Sequence, residues 1–170
     1  AGGREELLDA PPAAAVEAVE LCGRLPLALG IAGGIIAELA DDWEGELLSL
    51  LKDQFEEASI EERVVAASLR AMPMALRAGV EGLFALFGVF AEDAVVPAAA
   101  IDLLAPLMPG DAALKQAAQK KLQVRRWLQQ LLKANLLQGS IESGFKVPDL
   151  GGCSVSSLER PTAAPGAAPG

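Results

Sequence analysis

The residues that could do chemistry are few, and they form no recognised catalytic set. The chain has no histidine and two cysteines, Cys22 and Cys153, which lack the spacing of metal ligands. Without histidine, a Ser/His/Asp triad, a Cys/His nucleophile pair and a His-containing zinc site are all excluded. The phosphate-binding patterns GxxxxGK[ST] and GxGxxG do not occur either. We therefore expect no enzyme activity and no metal site in this chain.

The net charge disfavours general binding to nucleic acid or to an anionic membrane. The net charge is −9, so phosphate groups would be repelled by most of the molecule. Neighbouring carboxylates, such as Glu61-Glu62, fit helix caps and solvated faces, because nothing spaces them as an acid/base couple. The stretch from Lys115 to Lys146 differs, because it holds seven basic residues against one acid, Glu142. This local excess of positive charge leaves a basic face, which could bind an anionic partner, as an alternative.

Composition predicts a mainly α protein, because half of the residues are apolar, aromatics are scarce and alanine and leucine dominate. The longest apolar run, from Leu25 to Ala37, is 13 residues, which is shorter than the roughly 20 that cross a bilayer. Few cysteines and no recognisable secretory signal favour a cytoplasmic protein. We expect a flexible end at residues 1–12 and a disordered Gly/Pro/Ala-rich tail at residues 151–170.

Residues 13–72 predict a small helical bundle. A first helix runs from about Ala13 to Cys22, and Pro26 suits the first turn of a second helix. That second helix carries an apolar face with a spacing of four residues, formed by Leu27, Ile31, Ile35 and Leu39. Asp41 and Asp42 are candidate caps for a third helix, and Ser59 with Glu62 forms a capping-box pattern before a fourth. Gly33 and Gly34 are best explained by close helix packing.

Residues 73–150 predict a winged-helix domain with a short β-hairpin. Helical spacing continues from Leu76 to Phe87, Pro97 begins another helix, and Asp111 is a candidate cap for the next. An amphipathic helix follows at residues 122–133. Two extended segments, Leu136 to Ile141 and Phe145 to Val147, are then joined by a turn at Ser143-Gly144.

Several motifs in this order resemble the NB-ARC family of nucleotide-switch ATPases, which includes plant disease-resistance proteins and the apoptotic protease-activating factor. Cys22-Gly-Arg-Leu-Pro-Leu-Ala-Leu29 is similar to the family's GLPLAL motif, with Arg24 where glycine is commoner. Further matches are Trp43, Ser68-Leu69 with Met72-Pro73, Phe87-Gly-Val-Phe-Ala-Glu-Asp-Ala-Val-Val-Pro97, Leu131-Leu132-Lys-Ala-Asn-Leu-Leu137 and Val147-Pro-Asp-Leu150, the last at the family's MHD motif. The likeness covers about Val16 to Leu150 of this chain. It corresponds only to the second half of the NB-ARC region, the helical and winged-helix domains.

The resemblance implies a signal-transduction switch that ADP holds closed and ATP opens toward oligomerisation, in apoptosis or defence. Pro26 and Leu27 would then contact the nucleotide, whose phosphates would be held by an upstream P-loop domain. The regulatory motif would be Val147, Pro148 and Asp149. Pro148 stands where the family has a histidine that reaches the ADP β-phosphate, and proline has no donor. We therefore expect a leakier switch, with Asp149 bracing the domain contact.

Alternatives from other classes stay open. Pro26 could be an ordinary helix-starting proline, and Asp149 a solvated turn carboxylate. A winged-helix nucleic-acid binder would use four basic residues of its recognition helix to follow phosphates: Lys121, Arg125, Arg126 and Lys133. A purely structural helical adaptor is the third reading.

Overall fold

In the computed structural model, residues 11–39, 43–52, 59–91 and 93–148 can be described. These ranges contain eight α-helices and one two-stranded hairpin, which confirms the predicted mainly α fold. The elements are α1 (Ala13–Leu21), α2 (Pro26–Leu39), α3 (Trp43–Lys52), α4 (Ile60–Ala71), α5 (Met74–Phe87), α6 (Ala98–Leu104), a 3₁₀ turn (Ala105–Leu107), α7 (Ala112–Ala118), α8 (Lys121–Lys133), β1 (Gln138–Ser140) and β2 (Gly144–Lys146).

Helices α1 to α4 form the helical unit, in which α2 packs on α3 and α4 while α1 packs on α3. Its core consists of small aliphatic side chains; Ile31 and Ile35 of α2 are buried, whereas Leu27 and Leu39 of the same predicted face are half-buried. The capping box is present at the start of α4: the Glu62 amide donates to Ser59 Oγ at 3.1 Å, and the Ser59 amide donates to the Glu62 carboxylate at 3.0 Å. The predicted caps Asp41 and Asp42 lie outside the described residues.

The corner between α1 and α2 contains two consecutive residues with positive φ, Gly23 at 61° and Arg24 at 58°. Left-handed backbone is easy for glycine and unfavourable for a residue with a Cβ. The Arg24 amide donates to the Val19 carbonyl at 3.1 Å, which turns the chain back beside α1 before α2 begins. Glycine at position 24 would therefore suit the local backbone better than arginine does.

A two-residue connection, Met72-Pro73, joins α4 to α5. Arg77 of α5 donates from Nη2 to the carbonyl oxygens of Arg70 and Met72, the latter at 3.2 Å. The last carbonyls of a helix have no partner inside the helix, so this side chain satisfies groups that would otherwise need water. Arg77 thus fixes the direction in which the second unit leaves the first.

Helices α5 to α8 and the hairpin form the winged-helix unit. The hairpin pairs Gly139 with Phe145, and Phe145 also bridges Val96, which precedes α6. The Val96 amide donates to the Phe145 carbonyl at 2.7 Å, and the Phe145 amide returns a bond to Val96 at 2.9 Å. The hairpin follows α8, as predicted, and Val96 joins β2 through a single isolated bridge. Asp111 caps α7, as predicted, by accepting from the Leu114 amide at 2.8 Å.

The end of α8 corrects the predicted strand boundaries. Leu136 and Leu137 are not extended; both amides donate to the Leu131 carbonyl, at 2.9 and 3.2 Å, after Asn135 turns the chain with φ of 56°. This pattern closes the helix by satisfying one of its last carbonyls. Both leucines are buried, so packing beneath α8 decides their conformation. Strand β1 therefore begins at Gln138, and Gly144 belongs to β2 rather than to the turn.

Candidate functional site

The proposed nucleotide contact lies at an uncovered corner of the helical unit. Pro26 is the first residue of α2 and is exposed, while Leu27 is half-buried. Three apolar side chains near this corner are also exposed: Val16 is 49% exposed, Val19 37% and Leu25 36%. The Arg24 amide donates to the Val19 carbonyl, which closes the last turn of α1 two residues before α2 begins. The corner therefore presents apolar surface and a rigid proline ring to whatever neighbours it.

The proposed regulatory motif follows β2 at the other end of the described chain. Val147 is half-buried and Pro148 is buried, while Asp149 lies outside the described residues. Proline lacks a backbone N–H, and its ring offers no donor to a phosphate. Because Pro148 is buried, a larger side chain at this position would need more space than the proline ring fills.

The two units are joined one to two helical turns after Pro26. Asn135 donates from Nδ2 to the Gly30 carbonyl at 2.8 Å, across 105 residues of sequence. At Gly34, a Cβ would lie 3.0 Å from the Lys133 carbonyl oxygen and 3.2 Å from the Ala134 Cα. The packing interpretation thus holds for Gly34, whereas a Cβ at Gly33 would meet nothing within 4 Å. Helix α2 carries the predicted contact at its start and the link to α8 further along.

A small cavity lies at this junction, with a volume of about 20 Å³. It is lined by parts of α2, α4 and α8: Gly34, Ile35, Glu38, Ser68, Ala71, Met72, Gln130, Lys133 and Ala134. Ser68 is 2% exposed, and its Oγ has no hydrogen-bond partner among the described residues. This volume suits one water molecule, whereas small-molecule pockets span roughly 300–1,000 Å³. The cavity is therefore too small to hold a nucleotide.

The basic residues of α8 do not act as one set. Lys121, Arg126 and Lys133 are exposed, but Arg125 is half-buried and forms a 2.8 Å ion pair with Asp102 of α6. The Asp102 side chain is 12% exposed and that of Arg125 is 23% exposed, so the pair is largely removed from solvent. Arg125 consequently holds α6 against α8 and is not positioned to follow phosphates, unlike the other three.

Cys22 is fully buried at the end of α1. Burial raises the pKa of its thiol above the ordinary value of 9.0, and the positive charge of Arg63 offsets part of this rise. A neutral, inaccessible thiol is a poor nucleophile and a poor metal ligand. Over residues 11–39, 43–52, 59–91 and 93–148, no group of three or more Cys, Asp or Glu side chains is arranged to hold a metal ion. Nor does any helix in those ranges have the length and apolarity to cross a membrane.

Three structurally important side chains were not predicted as such from the sequence: Arg77, Asn135 and the partner of Arg125, Asp102. Asn135 carried a usable signal, because asparagine tolerates left-handed backbone and often follows the last helical turn. The sequence gives no signal for the roles of Arg77 and Asp102, because their partners lie on other helices. Each of these residues joins elements together, so tertiary structure defines its role.

Comparison of the chain with protein-family models, with curated proteins and with solved structures finds no match. The likeness to NB-ARC proteins therefore rests on the order and spacing of its motifs.

Proposed function

We propose that this chain is the non-catalytic regulatory part of an NB-ARC-type nucleotide switch in the cytoplasm. In this proposal, an upstream P-loop domain holds the phosphates of ADP or ATP, and the helical unit covers the adenine. ADP favours the closed arrangement, and exchange for ATP opens it toward oligomerisation. A ligand shifts such an equilibrium only by its difference in affinity for the two states.

The observation that carries this proposal is the exposed apolar corner at the start of α2. Pro26 and Leu25 are exposed within the segment that resembles the GLPLAL motif, and Val16 and Val19 of the preceding helix are exposed as well. A clustered apolar surface is a common mark of an interaction site. A second domain placed there could enclose an adenine ring against the proline.

Titration calorimetry with ADP tests the proposal. We expect the 170-residue chain alone to bind ADP with a dissociation constant weaker than about 10 µM, because it has no phosphate site. The same chain joined to its upstream P-loop domain should bind more tightly. There, Pro26→Glu should weaken binding at least tenfold, whereas Pro97→Glu, at another exposed helix start, should not. Tight binding by the isolated chain, or equal effects of both variants, would contradict the proposal.

The buried Pro148 gives a second test, which concerns the proposed contact between position 148 and the ADP β-phosphate. In the joined protein, Pro148→His should supply the donor that proline lacks and tighten ADP binding by about ten- to a hundredfold, with circular dichroism verifying that the buried position accepts the larger ring. Release of bound ADP would be followed by stopped-flow fluorescence. Tightly held ADP that Pro148→His does not improve would show that the switch needs no contact at this position.

A further inference from the structure

Three leucines of the winged-helix unit are largely in solvent. Leu103 in α6 is 79% exposed, Leu107 in the 3₁₀ turn is 73% exposed, and Leu122 in the first turn of α8 is 68% exposed. Leu107 follows Leu103 by four residues along the chain, which is about one helical turn. The ion pair between Asp102 and Arg125 ties α6 to α8 next to Leu103 and one turn after Leu122. We call these three residues the leucine face.

Positive charge flanks the leucine face at Leu122. Lys120 and Lys121 precede Leu122 directly, and Arg126 follows it by one turn of α8; all three are exposed. The two acids of α6 to α8 are both engaged within the fold, Asp102 with Arg125 and Asp111 with the α7 amides. The whole chain has 23 acidic against 14 basic residues. The face therefore combines exposed leucines with a local charge opposite to that of the molecule.

This combination selects between two classes of partner. Nucleic-acid phosphates would pair with Lys120, Lys121 and Arg126, but three leucines would gain nothing from a phosphate backbone. The turn of the hairpin also disfavours phosphates. It exposes Ile141 and Glu142, whereas a nucleic-acid binder would carry basic residues there. An amphipathic helix with an apolar stripe and flanking acids would cover the leucines and pair with the cations at once.

We propose that α6, the 3₁₀ turn and the first half of α8 form a docking surface for an acidic amphipathic helix of a partner protein. The leucines would provide the anchoring apolar contacts, which dominate most interfaces of this kind. The cations would speed association and select partners with clustered Asp and Glu. This proposal does not rest on the nucleotide switch, because the surface lies on the winged-helix unit and Pro26 lies on the helical unit.

Selection from a peptide-display library tests the occupant directly. The library would contain helices of about 16 residues with leucine at every third or fourth position and all other positions random. Selected on the full chain, it should become enriched in Asp and Glu at the positions that flank the leucines. A selection on the double variant Leu103→Ser/Leu122→Ser should lose this enrichment. Equal enrichment on both chains, or none on either, would overturn the proposal.

Fluorescence anisotropy then measures the selected peptide against matched controls. Leu122→Ser and Arg126→Glu should each weaken binding about tenfold or more. Val89→Ser, which changes an 81% exposed side chain away from this face, should leave binding unchanged. Circular dichroism would verify that each variant stays folded. A scrambled peptide that binds equally well, or duplex DNA that binds more tightly and is insensitive to Leu122→Ser, would refute a helix-docking surface.

Discussion

The helical unit and the winged-helix unit are both built from helices, but they fill their cores differently. Buried side chains of the first are aliphatic or small, as in Cys22, Ile31 and Leu47. The second buries Phe84, Phe87, Trp127 and Phe145. Large rings need room on the facing element, which regular helical spacing does not provide by itself. The comparison teaches that the first core follows from periodicity, whereas the second also depends on Gly79 lying opposite the Trp127 ring.

Their surfaces differ as well. Residues 13–72 contain twelve acidic against four basic side chains, while residues 73–150 contain seven against eight. The sign of the net charge of −9 is therefore set mainly by the helical unit. Association with a charged partner should accordingly depend on which unit it approaches. The following experiments test the contrast between the two units, beginning with the largest expected effect.

Gly79→Ala should have the largest effect, because it fills the space occupied by a tryptophan ring. A Cβ at Gly79 would lie 2.1 to 2.4 Å from three atoms of the Trp127 indole. Moving a buried ring out of its place costs about 3 kcal/mol of unfolding free energy or more. Urea denaturation followed by tryptophan fluorescence and circular dichroism would measure this loss.

The matched control is Gly33→Ala in α2, where a Cβ would meet nothing within 4 Å. Replacing an exposed helical glycine by alanine should stabilise the helical unit by about 0.5–1 kcal/mol. If both variants changed stability equally, the contrast between a periodic core and a glycine-dependent core would be wrong.

Asn135 tests the link between the two units. Asn135→Ala should lower the unfolding free energy by about 2 kcal/mol, because it removes the bond to Gly30 and puts alanine in a left-handed backbone that asparagine tolerates better. Asn135→Gly should lose less than half as much, since glycine accepts that conformation and only the hydrogen bond disappears. The two variants would be compared by urea denaturation. Equal losses would mean that backbone strain contributes little at this position.

Cys22 makes the stability of the helical unit depend on alkaline pH. Its pKa is raised by burial, so above pH 9 the unfolded thiol ionises while the folded thiol stays neutral. The unfolded state then binds fewer protons, and stability falls as pH rises, by at most about 1.4 kcal/mol per pH unit. Cys22→Ala should remove this part of the slope between pH 8 and pH 10. Identical slopes in chemical denaturation of the two proteins would contradict the assignment.

Arg24→Gly should have the smallest effect and the opposite sign. Glycine adopts the observed φ of 58° without strain, and the exposed ion pair between Arg24 and Glu20 contributes little. The thermal midpoint should rise by about 2 °C. Arg24→Lys, which keeps a Cβ at this position, should leave it unchanged. A lower midpoint for Arg24→Gly would show that the ion pair outweighs the backbone strain.

The proposed site was only partly accessible from sequence. Pro26 begins α2 as predicted, because proline fits the first helical turn. That its ring would stay exposed depended on which faces of α1 and α2 pack inward. The burial of Pro148 depends on how the residues after β2 pack, which no local pattern specifies.

The sequence by itself determined the helices, because their apolar periodicity and caps are local. Ser59 with Glu62 and Asp111 act as predicted, since each cap bonds an amide only three residues away. Tertiary structure alone decided the contacts between elements, such as the bond from Asn135 to Gly30 and the pair of Asp102 with Arg125. Their partners are separated by 105 and 23 residues, and no local propensity specifies which distant group will lie opposite.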